Sequence, residues 1–206
     1  MIPWSTYVLF VGASLALVLI PGPNHLYITA RGLSQGRAAG LASAFGVETG
    51  TLVHIAAAAA GLSYLITRSA TLFGIVKWAG VAYLVYLGVR ALTGKEQAES
   101  EVPRPPQPLG KVFLEGVVVN LLNPKVTLFF LALLPQFVKP SAGSPALQIV
   151  VFGATLLVLG VLSDLVYAFT AGALGSRLVR RAKALRLFSG VVYLGLGVIT
   201  AFAGRK

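Results

Sequence analysis

The sequence predicts an all-α membrane protein of six transmembrane helices, arranged as two inverted three-helix repeats with helices 1 and 4 broken. Three observations lead there. The 206 residues are 56% hydrophobic and only 11% charged, about half the charged fraction of an ordinary soluble domain. Six segments each supply the roughly 20 mostly apolar residues that a spanning helix needs. A single hydrophilic stretch divides them three and three.

The six segments are residues 4–29, 39–66, 71–93, 112–134, 146–174 and 185–203. The first has no basic residues before it and no small-residue cleavage site ahead of Pro21, so it reads as a retained span and not as a signal peptide. Segments 2 and 5 are long enough to tilt, kink or extend past the hydrocarbon. Between them, residues 94–111 carry Lys95, Glu96, Glu99, Glu101 and Arg104, with prolines at 103, 105, 106 and 108. Proline fixes φ and removes a donor, which predicts an extended linker. The domains are therefore 1–93, the first repeat; 94–111, a cytoplasmic linker; and 112–206, the second repeat.

The halves resemble each other weakly. Trp78-Ala-Gly-Val-Ala-Tyr-Leu84 in segment 3 matches Phe188-Ser-Gly-Val-Val-Tyr-Leu194 in segment 6. Thr51-Leu-Val-His54 lies where segment 5 has Asp164-Leu-Val-Tyr167. An odd number of spans per half puts the halves in opposite orientations, the inverted-repeat plan of many secondary transporters. Eleven Lys and Arg residues fall in the loops after segments 1, 3 and 5, against five on the other side. The positive-inside rule then sets those loops in the cytoplasm and both termini outside it, in an inner (plasma) membrane.

Composition excludes several functions. The absence of cysteine removes disulfides, thiolate metal sites and thiol nucleophiles. No paired histidine ligands, nucleophile elbow or phosphate-binding loop occurs, so an enzyme, a metal site, a cofactor and ATP drive are not expected. The net charge of +11 comes from short basic runs between apolar stretches, a membrane-loop pattern, and no nucleic-acid motif appears.

Chemistry concentrates in three signals. Pro21-Gly22-Pro23-Asn24 interrupts an apolar run. Two prolines and a glycine force a helix break, and freed carbonyls in a membrane are tolerated only inside protein or beside a wet cavity. Asn120-Leu-Leu-Asn123-Pro124-Lys125 repeats the pattern early in segment 4. Asn123 can cap the new helix start and Asn120 adds a second amide. Helix N-termini at paired breaks offer partial positive charge to a substrate carboxylate.

The third signal is acid. Glu48 and Asp164 lie deep in segments 2 and 5, where a charge costs about 2.5–3.5 kcal/mol on insertion scales. Glu115, near a segment end, is expected to snorkel. Thr51 stands one turn from both Glu48 and His54. His54 is read as a proton relay or as a histidine satisfied by a neighbouring helix, and His25 as substrate-facing or interfacial. Small-residue stripes, Ala42-Gly46-Gly50-His54-Ala58 and Gly160-Asp164-Ala168-Gly172, predict close helix approach within one chain or in a homo-oligomer. Tyr83 and Tyr193 read as ligand contacts or packing.

The Pro-Gly-Pro-Asn break, Gly46-Val-Glu-Thr-Gly50 with His54, Lys77-Trp-Ala-Gly-Val-Ala-Tyr-Leu84, and Asn120-Leu-Leu-Asn-Pro-Lys125 followed by Pro135-Gln-Phe137 resemble the lysine-exporter superfamily. The likeness is best to its homoserine/threonine-efflux branch. It implies proton-driven efflux of amino acids or related metabolites, and it carries Pro21, Gly22, Pro23, Asn123 and Pro124 onto that family's motifs. Some relatives have an aspartate near Thr51; this chain has Glu48 one turn earlier.

The expectation is thus a secondary exporter working by alternating access, with protons, an amino-acid-like solute and the bilayer as its partners. Pro21, Gly22, Pro23, Asn24, Glu48, Thr51, Asn120, Asn123, Pro124 and Asp164 are the expected substrate residues, and Glu48, Asp164 and His54 the proton-coupling ones. A passive channel and a non-transporting scaffold are the alternatives.

Overall fold

The computed structural model describes residues 2–19, 21–62, 70–93, 106–180 and 182–202. Linker residues 94–105, expected to be extended, lie outside this set, as do the side chains of the basic run from Arg177 to Arg186. Among the described residues the secondary structure is entirely helical.

Segment 1 is two helices, α1 (Trp4–Leu19) and α2 (Pro23–Gln35), bent by 45° at the predicted break. Pro23 opens α2, where its missing N–H is harmless. Gly36, at φ 84°, turns the chain directly into α3 (Arg37–Ala57), a conformation that disfavours any residue with a Cβ. A π-helical turn, Ala58–Leu62, extends α3.

After α4 (Ala70–Thr93), segment 4 repeats the interrupted plan. Helix α5 (Leu109–Leu121) begins three residues inside the predicted linker, and α6 starts at Pro124 after a 46° bend. Helix α6 is regular only over Pro124–Leu128; it loosens to a π turn, Phe129–Leu133, and tightens to a 3-10 turn, Leu134–Phe137. Pro135 explains the change of winding, because it cannot donate to the Leu131 carbonyl and its ring crowds that position. Helix α7 (Pro145–Arg180) is the longest, and α8 (Ala182–Phe202) ends the described chain.

Residues Arg37–Leu62 and Pro145–Ala171 are each long and apolar enough to cross a membrane, and each bent pair passes the same test when taken as one span. Large apolar side chains such as Leu9, Phe45, Leu122, Leu147, Val158 and Phe202 are exposed. In a bilayer these face lipid tails, and the protein is a multi-pass membrane protein.

Small residues set the packing. A Cβ on Gly46 of α3 would overlap the Phe113 carbonyl of α5, and one on Gly116 of α5 would stand 2.7 Å from the Ser43 carbonyl. One on Gly160 of α7 would stand 2.5 Å from Glu48 Oε1. The two predicted stripes therefore serve packing within the chain: α3 lies against α5 on one side and α7 on the other. Helices α4 and α8 pair with each other, with Gly88 and Gly190 at their contact, and Gly80 of α4 lies against Ala132 of α6.

Candidate substrate and proton site

The two breaks meet. Asn123 Oδ1 accepts from the Lys125 backbone N–H at 3.0 Å, capping α6 as its sequence suggests. Its amide then donates to Asn24 Oδ1, at the start of α2, at 2.7 Å. One residue from each break thus fastens the other in place.

The intramembrane acids meet beside them. Glu48 on α3 and Asp164 on α7 are 8% and 3% exposed, and their carboxyl groups reach one another. Two carboxyl groups so placed can hydrogen-bond to each other only if one of them carries a proton. The Thr51 hydroxyl accepts from Asn120 Nδ2 at 3.2 Å and stands within reach of Glu48. His25 Nδ1 accepts from the Gly22 N–H at 3.3 Å, which leaves the ring proton on Nε2. That nitrogen faces Ser163 Oγ at 3.3 Å and Asp164 Oδ1 at 3.4 Å. The ring also packs on Tyr167 at 4.2 Å.

These groups line one cavity of about 50 Å³, with Lys125 and Gly22 on its wall and Leu17, Val18, Val126 and Leu156 as its apolar part. A water needs roughly 10–15 Å³ of such space, so the cavity has room for a few waters and must widen to take a metabolite. Three buried oxygens on its lining residues, Glu48 Oε2, Asp164 Oδ2 and Asn120 Oδ1, find no hydrogen-bond partner among the described residues.

Of the expected substrate residues, Gly22, Asn24, Glu48, Thr51, Asn120, Asn123 and Asp164 line this cavity. Pro21, Pro23 and Pro124 frame the breaks without lining it. His54 stands apart: it packs on the Phe130 ring at 5.4 Å, with Nε2 3.5 Å from the Asn120 carbonyl. Tyr193 is packed in the core, and Tyr83 lies against Tyr86.

The sequence undervalued three residues. Lys125 is 7% exposed and on the cavity wall. Glu115, expected to snorkel, ion-pairs with Arg31 at 2.6 Å. Arg31, counted as a loop charge, is 1% exposed and also donates to Gln35 at 2.9 Å and Gln107 at 3.0 Å. The signal for Arg31 was its spacing of seven from Asn24, two helical turns along one face.

A family model described as LysE type translocator matches residues 15–204. The chain belongs to the LysE translocator family. That family is one of transporters and not of enzymes. A homoserine/homoserine lactone efflux protein of Salmonella typhimurium is 31% identical to this LysE-family chain over 202 residues, covering 97% of it and 96% of the relative. Its namesake in Salmonella typhi is similar to the same extent. The membrane protein YrhP of Bacillus subtilis is 28% identical over 205 residues, 94% of this chain and 97% of its own. No solved structure matches the LysE-family chain.

Proposed function

We propose that the chain is a secondary exporter of amino acids or closely related metabolites, coupled to protons and working by alternating access. The observation that carries this reading is that Glu48, Asp164 and Asn120, which line one cavity, each have a buried oxygen with no hydrogen-bond partner among the described residues. An ammonium group has three N–H donors and matches that set. The N-terminus of α2 and Lys125 supply the positive side for a substrate carboxylate.

The acid pair gives a coupling device. An arriving ammonium competes with the proton between Glu48 and Asp164, so solute and proton occupy the site in turn. A bound species shifts a carrier between states only through different affinities for them, and gain or loss of that proton supplies the difference. Gly22, Asn24, Thr51, Asn120 and Asn123 hold the solute; Glu48 and Asp164 move the proton. His25, on Asp164, is the nearer relay, while His54 serves packing.

A six-span inverted repeat is part of this reading. Its support is that each element touches its counterpart in the other half: Asn24 and Asn123, Glu48 and Asp164, and the α4 and α8 glycines. With the loop after α2 in the cytoplasm, both termini lie outside, in a plasma membrane. The oppositely facing halves give the two access states.

Inside-out vesicles under an imposed pH gradient test the reading with labelled homoserine. Uptake should collapse with protonophore. Glu48→Gln should abolish uphill movement while sparing homoserine exchange. Uphill uptake unaltered in that variant removes Glu48 from coupling, and uptake indifferent to protonophore removes proton drive.

A further inference from the structure

A second cavity, larger and more open than the first, has a volume of about 560 Å³. That falls within the ~300–1,000 Å³ usual for small-molecule pockets. Tyr27 and Arg31 of α2, Gln107, and Lys111, Glu115 and Val118 of α5 are on its walls. The two cavities are lined by successive stretches of α2 and of α5. Asn24 lines the inner one and Tyr27 the outer, about one helical turn apart. On α5 the neighbours Asn120 and Val119 divide in the same way.

One wall of the outer cavity is polar. The Tyr27 hydroxyl donates to the Val112 carbonyl at 2.7 Å and meets Glu115 at 3.3 Å. The Arg31 guanidinium lies over the Tyr27 ring at 5.7 Å and pairs with the same Glu115. Arg31 Nε is buried with no hydrogen-bond partner among the described residues. Among the described residues the outer cavity thus presents two cations, Arg31 and Lys111, and one carboxylate, Glu115.

We propose that the outer cavity is a second binding site, a vestibule where an amino-acid zwitterion docks with its carboxylate on Arg31 and Lys111 and its ammonium on Glu115. The inference rests on the exporter reading above. Opening the Arg31–Glu115 contact with nothing bound strands a buried guanidinium without its counter-charge. A zwitterion replaces that one ion pair by two, so the contact parts for a solute bearing both charges and stays shut otherwise. The docked solute then passes Tyr27 into the inner cavity. A lactone of the same amino acid keeps the ammonium, lacks the carboxylate and gains nothing from Arg31.

Homoserine and homoserine lactone therefore form the test pair. KM for each is measured in energised inside-out vesicles carrying the wild-type chain or Arg31→Gln. Homoserine KM should rise about tenfold or more, the scale of a lost hydrogen bond to a charged group. Lactone KM should stay within about twofold, a difference of less than half a kcal/mol. If Arg31→Gln does not accumulate in the membrane, Lys111→Gln, at an exposed position, carries the test. Its expected rise is about threefold for homoserine alone, as for a solvent-screened charge. Equal changes for both solutes mean a merely structural role and overturn the inference, as does wild-type transport of the lactone alone. Transport of neither solute by the wild type overturns the exporter reading and the vestibule with it; transport of both, with an unaltered KM ratio in the variant, overturns the vestibule only.

Discussion

The α1 and α2 halves of the first broken helix lead away from the same inner site and are closed by opposite chemistry. Along α1, Phe10 is fully buried, with the Phe152 ring at 4.5 Å, Phe137 at 5.2 Å and Phe129 at 5.8 Å. Along α2, closure is by Arg31, Glu115, Gln35 and Gln107. An aromatic seal holds by contact area and edge-to-face geometry and is indifferent to what lies beyond it. An ion-paired latch holds by charge and yields to a ligand that carries the same charges. On the exporter reading proposed above, with the α2 end in the cytoplasm, the end that selects a solute is polar and the end that releases it is apolar.

The largest effect is expected where both closures meet, at the inner site. Gly160→Val brings a Cβ against Glu48 Oε1 and displaces the acid pair while leaving both ends untouched. Export should fall by about a hundredfold, as for misplacement of a reacting group by an ångström, at a normal membrane level; vesicle uptake with immunoblotting checks it. Phe10→Ala breaks the seal without touching charge. The vacated ring volume should raise passive solute leak by roughly an order of magnitude, read as protonophore-insensitive efflux. Glu115→Gln keeps an acceptor for Arg31 but removes its counter-charge. Because the Glu115 side chain is 32% exposed, water screens the loss, and homoserine KM should change by only about threefold, less at high salt. Tyr7→Phe deletes the 3.0 Å bond to Thr155 at the rim of the seal. A loss of about 0.5–1.5 kcal/mol in stability is expected, seen in thermal unfolding in detergent, with export unchanged.

Local chemistry was legible in the sequence and long-range pairing was not. Proline and asparagine announce a helix break wherever they occur in an apolar run, so both interruptions and the Asn123 cap were readable. Glu48 and Asp164 stood out because few other acids share their setting. Arg31 looked like any loop cation, since its partner Glu115 is 84 residues away and no local pattern encodes that contact. Lys125 stands in an apolar run, where an ammonium needs shelter, and the meeting of the two breaks puts it on a cavity wall. His54 interrupts a small-residue stripe just as Asp164 does; the stripe predicted burial for both and could not tell a cavity wall from a packing face. The uneven winding of α6 was within reach, because Pro135 was in plain view in a motif read only for its resemblance.

The most direct test of the account is the count of protons released when solute binds. Purified chain in unbuffered detergent solution, with a pH indicator, is mixed with homoserine. The wild type should release protons in proportion to solute bound, and Glu48→Gln should bind solute and release none. Equal release from that variant, or binding by the wild type with no release, would contradict a site that ammonium and proton occupy in turn.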